Sequence, residues 1–307
     1  MRGRGALSLL ALLAAPFIGA ESAPNQAPQQ PPASNPPPAA NAAPAPSSNA
    51  PDPRYRAPTS TTGDSQTWYT FNGDLLAQKY ATSTQITPEN VSRLSVAWQL
   101  HTGDVSQGNG ASEYRTSHLE SGIPSTVWSA TPLFVNDTLY VSTPFYRIFA
   151  VDPGSGQVKW TFDPHAELKA LTQPDLKTRG VAYWQAANPA PGQPCQKIVY
   201  VGTMEGKLWA VDADTGKACD GFGKNGAVDV NQWNTVNNIF PLSQLQPPTV
   251  YKNLLFVGWA GKDWAAEKTP PGIIFALDAQ TGALKYNSTL FPPAPNKERA
   301  RSTSGKA

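Results

Sequence analysis

The chain has 307 residues, of which 24 are Lys or Arg and 22 are Asp or Glu, for a formal net charge of +2. A balance this even, with no basic stripe and no Lys/Arg block, leaves no electrostatic footprint for a phosphate backbone and argues against nucleic-acid partners. Only 15% of the residues are charged, whereas 9 Trp, 10 Tyr and 11 Phe supply large rings to bury, which excludes a wholly disordered chain.

In chain order, Met1-Arg2-Gly3-Arg4 places positive charge ahead of an apolar run from Ala6 to Ala20. That run is shorter than the ~20 residues of a membrane span, so residues 1–20 read as a secretory signal. Small residues at Gly19 and Ala20 suit cleavage after Ala20, with Ser22 or Ala23 as second choices and a retained membrane anchor as the alternative. Residues 21–58 are dominated by Pro, Ala, Gln, Asn and Ser, with too few bulky apolar side chains to offset the entropy of ordering them. They read as a linker with polyproline II character, able to hold a domain away from a surface.

Roughly 250 residues remain, enough for one sizeable core. Within them three segments share one form: Ala150-Val151-Asp152-Pro153-Gly154-Ser155-Gly156, Ala210-Val211-Asp212-Ala213-Asp214-Thr215-Gly216 and Ala276-Leu277-Asp278-Ala279-Gln280-Thr281-Gly282. Their aspartates, at 152, 212 and 278, are 60 and 66 residues apart. Apolar or alternating strands precede each copy: Thr138–Ser142 with Ile148-Phe149, 197–201 with Leu208-Trp209, and Leu254–Val257 with Ile273–Phe275. Trp160 and Tyr286 open a further strand after the first and third copies. An Asp side chain can cap such a turn and a Gly can take positive φ, so each copy predicts a four-stranded antiparallel sheet. One sheet cannot bury both faces; a period near 60 residues without helical windows predicts blades packed around an axis.

Other patterns carry less. Cys195 and Cys219 form a candidate disulfide in an oxidising compartment, with two unpaired buried thiols as the alternative. His101, His118 and His165 lack metal spacing with the cysteines and read as turn or surface residues. The run Gly221-Phe222-Gly223-Lys224-Asn225-Gly226 follows Cys219-Asp220 instead of a strand and opens no predicted helix, so it reads as a glycine-rich turn and not a dinucleotide loop. Neither a Walker loop nor a Gly-x-Ser-x-Gly elbow occurs. Trp98, Trp160 and Trp209 are assigned to packing between blades.

The form Ala-x-Asp-x-x-Thr-Gly-x-x-x-Trp, met almost in full from Ala150 to Trp160, resembles the tryptophan-docking repeat of PQQ-dependent (quinoprotein) dehydrogenases. The opening Trp68-Tyr69-Thr70-Phe71-Asn72-Gly73-Asp74-Leu75, then Gln85–Val91 and Leu94–Trp98, is similar to that family's first blade. So are Thr131-Pro132-Leu133, Arg179–Tyr183 and Phe222–Asp229. The resemblance implies an all-β, eight-bladed propeller of quinoprotein type, of which residues 59–293 hold about four blades, followed by a polar tail at 294–307. The placing of Cys195 and Cys219 is more similar to the membrane-associated glucose and quinate dehydrogenase branch than to methanol dehydrogenases, whose cysteines are adjacent.

That resemblance further implies oxidation of a sugar, polyol or other alcohol by PQQ and Ca²⁺, with electrons passed to a quinone or cytochrome, in a periplasmic or secreted, membrane-associated setting. Arg179 matches the arginine that pairs with a PQQ carboxylate, its guanidinium fork suiting that acceptor. Ala260 and Gly261 fall on the loop that wraps the cofactor, and Asp263 falls on a calcium carboxylate. Ser129, Leu245, Gln246 and Trp259-Ala260 depart from the usual residues around the cofactor. The catalytic aspartate and the lysine over PQQ belong to a part of the family pattern that this chain does not match. The chain is therefore expected to be an N-terminal half, completed by a second chain; the alternative is a non-catalytic propeller fragment serving as an extracytoplasmic binding or assembly scaffold.

Overall fold

The computed structural model describes residues 67–73, 77, 79–81, 83–108, 123–168, 175–234, 242–244, 246–259 and 272–289, all within the unit Ala50–Ala307. The expected signal, linker and tail lie outside the described residues, as do Ala260, Gly261 and Asp263. A short parallel ribbon joins β1 (Ser125–Thr126) to β6 (Asp175–Leu176). The remaining strands form three four-stranded antiparallel sheets. The first contains β2 (Leu133–Val135), β3 (Thr138–Ser142), β4 (Ile148–Val151) and β5 (Val158–Phe162). The second contains β7 (Ala182–Gln185), β8 (Lys197–Gly202), β9 (Lys207–Asp212) and β10 (Ala227–Asp229). The third contains β11 (Thr249–Tyr251), β12 (Leu254–Val257), β13 (Ile273–Asp278) and β14 (Leu284–Thr289).

Each sheet is a meander of neighbouring strands, so every connection is a hairpin. In the first, Asn136 and Asp137 both take positive φ (48° and 51°), as a two-residue turn between twisted strands requires. The third turn of each sheet holds the repeated aspartate. Asp152 Oδ1 accepts from the Ser155 N–H and hydroxyl, both at 2.8 Å; Asp212 Oδ1 accepts from the same groups of Thr215 at 2.9 Å, and Asp278 Oδ1 from those of Thr281 at 3.0 Å. Gly156, Gly216 and Gly282 close the three turns at φ 74°, 73° and 70°. The same turn recurs in all three sheets; in the first and third it leads directly into the last strand with the same register shift, whereas in the second β10 begins only at Ala227.

The cores lie between sheets. Strand β8 is an unbroken apolar run because both its faces are covered: Val199 and Val201 belong to the cluster shared with the first sheet, Ile198 and Tyr200 to the cluster shared with the third. Two tryptophans join blade to turn. The Trp98 indole donates to the Pro153 carbonyl at 2.9 Å, and that of Trp160 to the Ala213 carbonyl at 3.0 Å. A methyl added at Gly156 or Gly216 would come within 2.6 or 2.8 Å of those rings, so only glycine lets the turn lie flat on the indole. Trp209 packs across the same junction on Phe162, ring centroids 5.5 Å apart. At the next junction Asp220 stands where the tryptophan would be. Tyr200 replaces its hydrogen bond, donating to the Ala279 carbonyl at 2.6 Å, while Phe222 and Val228 pack beneath Gly282.

Candidate functional site

The first strand of each sheet starts at an equivalent point, because Leu133, Ala182 and Thr249 pair with Tyr140, Tyr200 and Phe256 in the same register. Three residues earlier stand Ala130, Arg179 and Gln246, so one of three equivalent positions carries a cation. The backbone around Arg179 is held on both sides. The Thr131 N–H donates to the Arg179 carbonyl at 3.0 Å, Gly180 bridges Thr131 in parallel, and the Ser129 hydroxyl donates to the Thr178 carbonyl at 3.1 Å. Gly180 has φ 141°, and a methyl there would sit 2.9 Å from the Thr131 carbonyl oxygen, so no side chain replaces it. Arg179 itself is exposed, and among the described residues its guanidinium has no acceptor.

A cavity of about 320 Å³ opens beside this lead-in, between β7, β11 and the 69–77 segment. Tyr69, Phe71, Asn72, Tyr183, Gln246 and Thr249 help to line it; Arg179 does not. Phe71 also lies 3.7 Å from the methyl position of Gly180, which puts the cavity wall against the arginine's neighbour. Burial pushes the Tyr183 phenol well above its ordinary range, so it stays neutral. Its oxygen accepts from the Asn136 amide at 2.7 Å and donates to Gln185 Oε1 at 3.2 Å. This wall can position and hydrogen-bond a ligand but offers no base.

One polar contact was not legible in the sequence. Arg147 grips buried Asp104 with both prongs, Nε to Oδ2 at 2.9 Å and Nη2 to Oδ1 at 2.5 Å, and Nη2 also donates to the Thr102 carbonyl at 2.6 Å. Burial pushes the Asp104 carboxyl up while the Arg147 fork opposes it. The partners are far apart in sequence, and neither belongs to a motif. Among the described residues no group of three or more His, Cys, Asp and Glu could hold a metal ion. His165 is exposed 3.7 Å from Asp163, and Gly221–Gly226 forms a turn running into β10 instead of a helix.

Residues 68–307 match the family of glucose, ethanol and alcohol dehydrogenase β-propeller domains that use PQQ. The chain belongs to this quinoprotein family. It is 32% identical over 242 residues to the quinoprotein glucose dehydrogenase of Gluconobacter oxydans (strain 621H), covering 75% of this chain and 28% of that enzyme. It is 31% identical over 247 residues to the quinate/shikimate dehydrogenase (quinone) of Acinetobacter baylyi, with the same two coverages. Among solved structures, the quinohemoprotein alcohol dehydrogenase of Comamonas testosteroni superposes with a TM-score of 0.54 at 25% identity, over 77% of this chain and 30% of that one. The chain thus spans less than a third of the length of these quinoproteins. Cys195 and Cys219, named from the sequence as a pair, form a disulfide with Cα atoms 5.8 Å apart.

For PQQ the described residues meet one requirement of the fit: an exposed guanidinium without a carboxylate, on a pinned backbone just before the first strand of the second sheet. A second sign is the Trp259 indole N–H, buried with no partner among the described residues, directly before Ala260-Gly261. Among the described residues no helix is long and apolar enough to cross a membrane.

Proposed function

We propose that this chain is the N-terminal, cofactor-gripping part of an exported PQQ-dependent dehydrogenase acting on a sugar, polyol or other alcohol. The observation that carries the reading is Arg179, a guanidinium with no acceptor among the described residues, on a hydrogen-bonded lead-in within a chain of the quinoprotein family. Its planar fork suits a PQQ carboxylate better than a lysine would, because two parallel hydrogen bonds fix direction as well as charge. The backbone of Ala260 and Gly261 would follow the cofactor's edge, and Asp263 would give one oxygen ligand to Ca²⁺. When bound, PQQ would supply a two-electron, two-proton acceptor that turns the alcohol into a carbonyl product, the electrons then going to a quinone or cytochrome. Arg179, Ala260, Gly261 and Asp263 would hold and orient the acceptor.

The test is PQQ titration of the mature chain with Ca²⁺, followed by quenching of its tryptophan fluorescence. Saturable binding is expected. Arg179→Ala should weaken it by roughly tenfold to a hundredfold and Arg179→Lys by less, since a charged hydrogen bond is worth about 1.5–3 kcal/mol. Binding unaffected by either substitution would remove Arg179 from the site. No binding at all would leave the non-catalytic scaffold as the better account.

A further inference from the structure

Where the second and third sheets meet, a cleft of about 190 Å³ opens, and Trp184, Asn188, Gln196, Asn253, Asp278 and Gln280 help to line it. It lies away from Arg179. That arginine precedes the start of β7, whereas the cleft begins at Trp184 and reaches Asn188 beyond the strand's other end, so β7, about 10 Å long, runs between the two.

The junction of the first and second sheets fills the corresponding place with charge. The carbonyls of Lys197 and Asn253 each accept at 2.9 Å from the N–H of the residue after a turn aspartate, Ala213 and Ala279, so the two positions are equivalent, as are Asp214 and Gln280. Lys197 Nζ reaches both oxygens of Asp214, at 3.0 and 3.1 Å. At the second junction two amides, Asn253 and Gln280, stand in place of that ion pair.

Asn253 is 5% exposed. The Trp184 indole, which can only donate, gives its N–H to Asn253 Oδ1 at 3.1 Å, which leaves Nδ2 as the end of the amide turned away from the ring. Nδ2 is buried with no acceptor among the described residues, and a buried donor in that state is costly unless something accepts from it. The space is several times the ~30 Å³ that one water takes up. Among the described residues lining it, Asp278 alone is charged, and Lys285 stands 3.3 Å from its Oδ2. An ionic ligand would lose its hydration here and meet no unpaired charge in return. A hydroxyl suits the lining better: with one O–H and two lone pairs it can accept from Asn253 Nδ2 and donate to an amide oxygen of Asn188, Gln196 or Gln280.

We propose that this cleft is a second binding site, for a neutral hydroxylated molecule the size of one sugar ring, held by Asn253 and the side-chain amides of Asn188, Gln196 and Gln280. It does not depend on the PQQ reading. The test is run without PQQ, so its failure and the failure of the Arg179 site are separate results.

The experiment titrates the full chain, labelled with ¹⁵N, with D-glucose and follows the Trp184 indole N–H signal, assigned as the one lost in Trp184→Phe. A saturable shift is expected, with a dissociation constant on the order of 1–10 mM for a ligand this small. Gln196→Ala and Gln280→Ala, at sites that are not buried, should each weaken it roughly fivefold to tenfold, the loss of one hydrogen bond. Asn253→Lys with Gln280→Asp, which installs the ion pair of the first junction, should abolish the shift while the circular dichroism stays that of the parent chain. Arg179→Ala should leave it unchanged. An indole signal that does not move up to about 100 mM glucose means that the cleft holds only water, and overturns the proposal. So does a shift that survives in the Lys/Asp double variant, and so does tighter binding of gluconate than of glucose, which would mean that the cleft selects an anion.

Discussion

Asp212 shows how much a single side chain carries in this molecule. One carboxylate oxygen accepts from two N–H groups and a hydroxyl within its own turn, and the other accepts from the Cys195 N–H. Because the residue is almost fully buried, Asp212→Ala strands those donors and is expected to cost on the order of 3 kcal/mol in urea unfolding. At Trp160 two substitutions separate ring from hydrogen bond: Trp160→Phe should cost about 1 kcal/mol and Trp160→Ala about 3 kcal/mol or more in the same assay. The turn also sets a pH dependence. Burial alone would raise the Asp278 carboxyl, but the Thr281 N–H and hydroxyl and Lys285, 3.3 Å away, outweigh it and hold it below its ordinary value. A carboxyl held low in the folded state binds its proton more readily when unfolded. Its stabilisation is therefore complete above about pH 5 and lost as the pH falls below about 4. Thermal melting from pH 7 to pH 3 should show that loss, and Asp278→Asn should make it shallower.

At the level of elements, strand positions were legible where the apolar pattern was strong. The unbroken run of β8 marks a strand with both faces covered, and its burial follows; β12 is equally apolar in sequence but alternates between half-buried and buried, because only one of its faces is covered. The aspartate turns were legible too, since Asp and Gly at fixed spacing have a local cause. What the sequence could not show is how the second junction closes. Asp220 breaks the tryptophan pattern, and the replacement by Tyr200, Phe222 and Val228 depends on contacts between distant segments. The disulfide lies at that same junction, with Cys219 buried beside Phe222 in the core shared by the second and third sheets. Closing a loop of 24 residues restricts the unfolded chain by roughly 3–4 kcal/mol. Reduction, or Cys195→Ser with Cys219→Ser, should lower the melting temperature accordingly without changing the circular dichroism of the folded state.

For the molecule as a whole, family and fold were readable because the repeat recurs three times, whereas the site was readable in part. Arg179 precedes the first strand of the second sheet, and its backbone is held by Thr131 and Gly180, two residues of the quoted segments whose pairing with each other the sequence does not show. The cavity beside it is built from three separate stretches of chain, and a single stretch of sequence cannot reveal such a space. Holding PQQ together with a cation is the role proposed for these blades. A ligand that binds only the folded state at a hundred times its dissociation constant adds about 2.7 kcal/mol of stability. The most direct measurement is the melting temperature of the mature chain with PQQ alone, with Ca²⁺ alone and with both. The account predicts a rise of several degrees with both that exceeds the two separate effects and shrinks in Arg179→Ala; an unchanged melting temperature in all three conditions would contradict it.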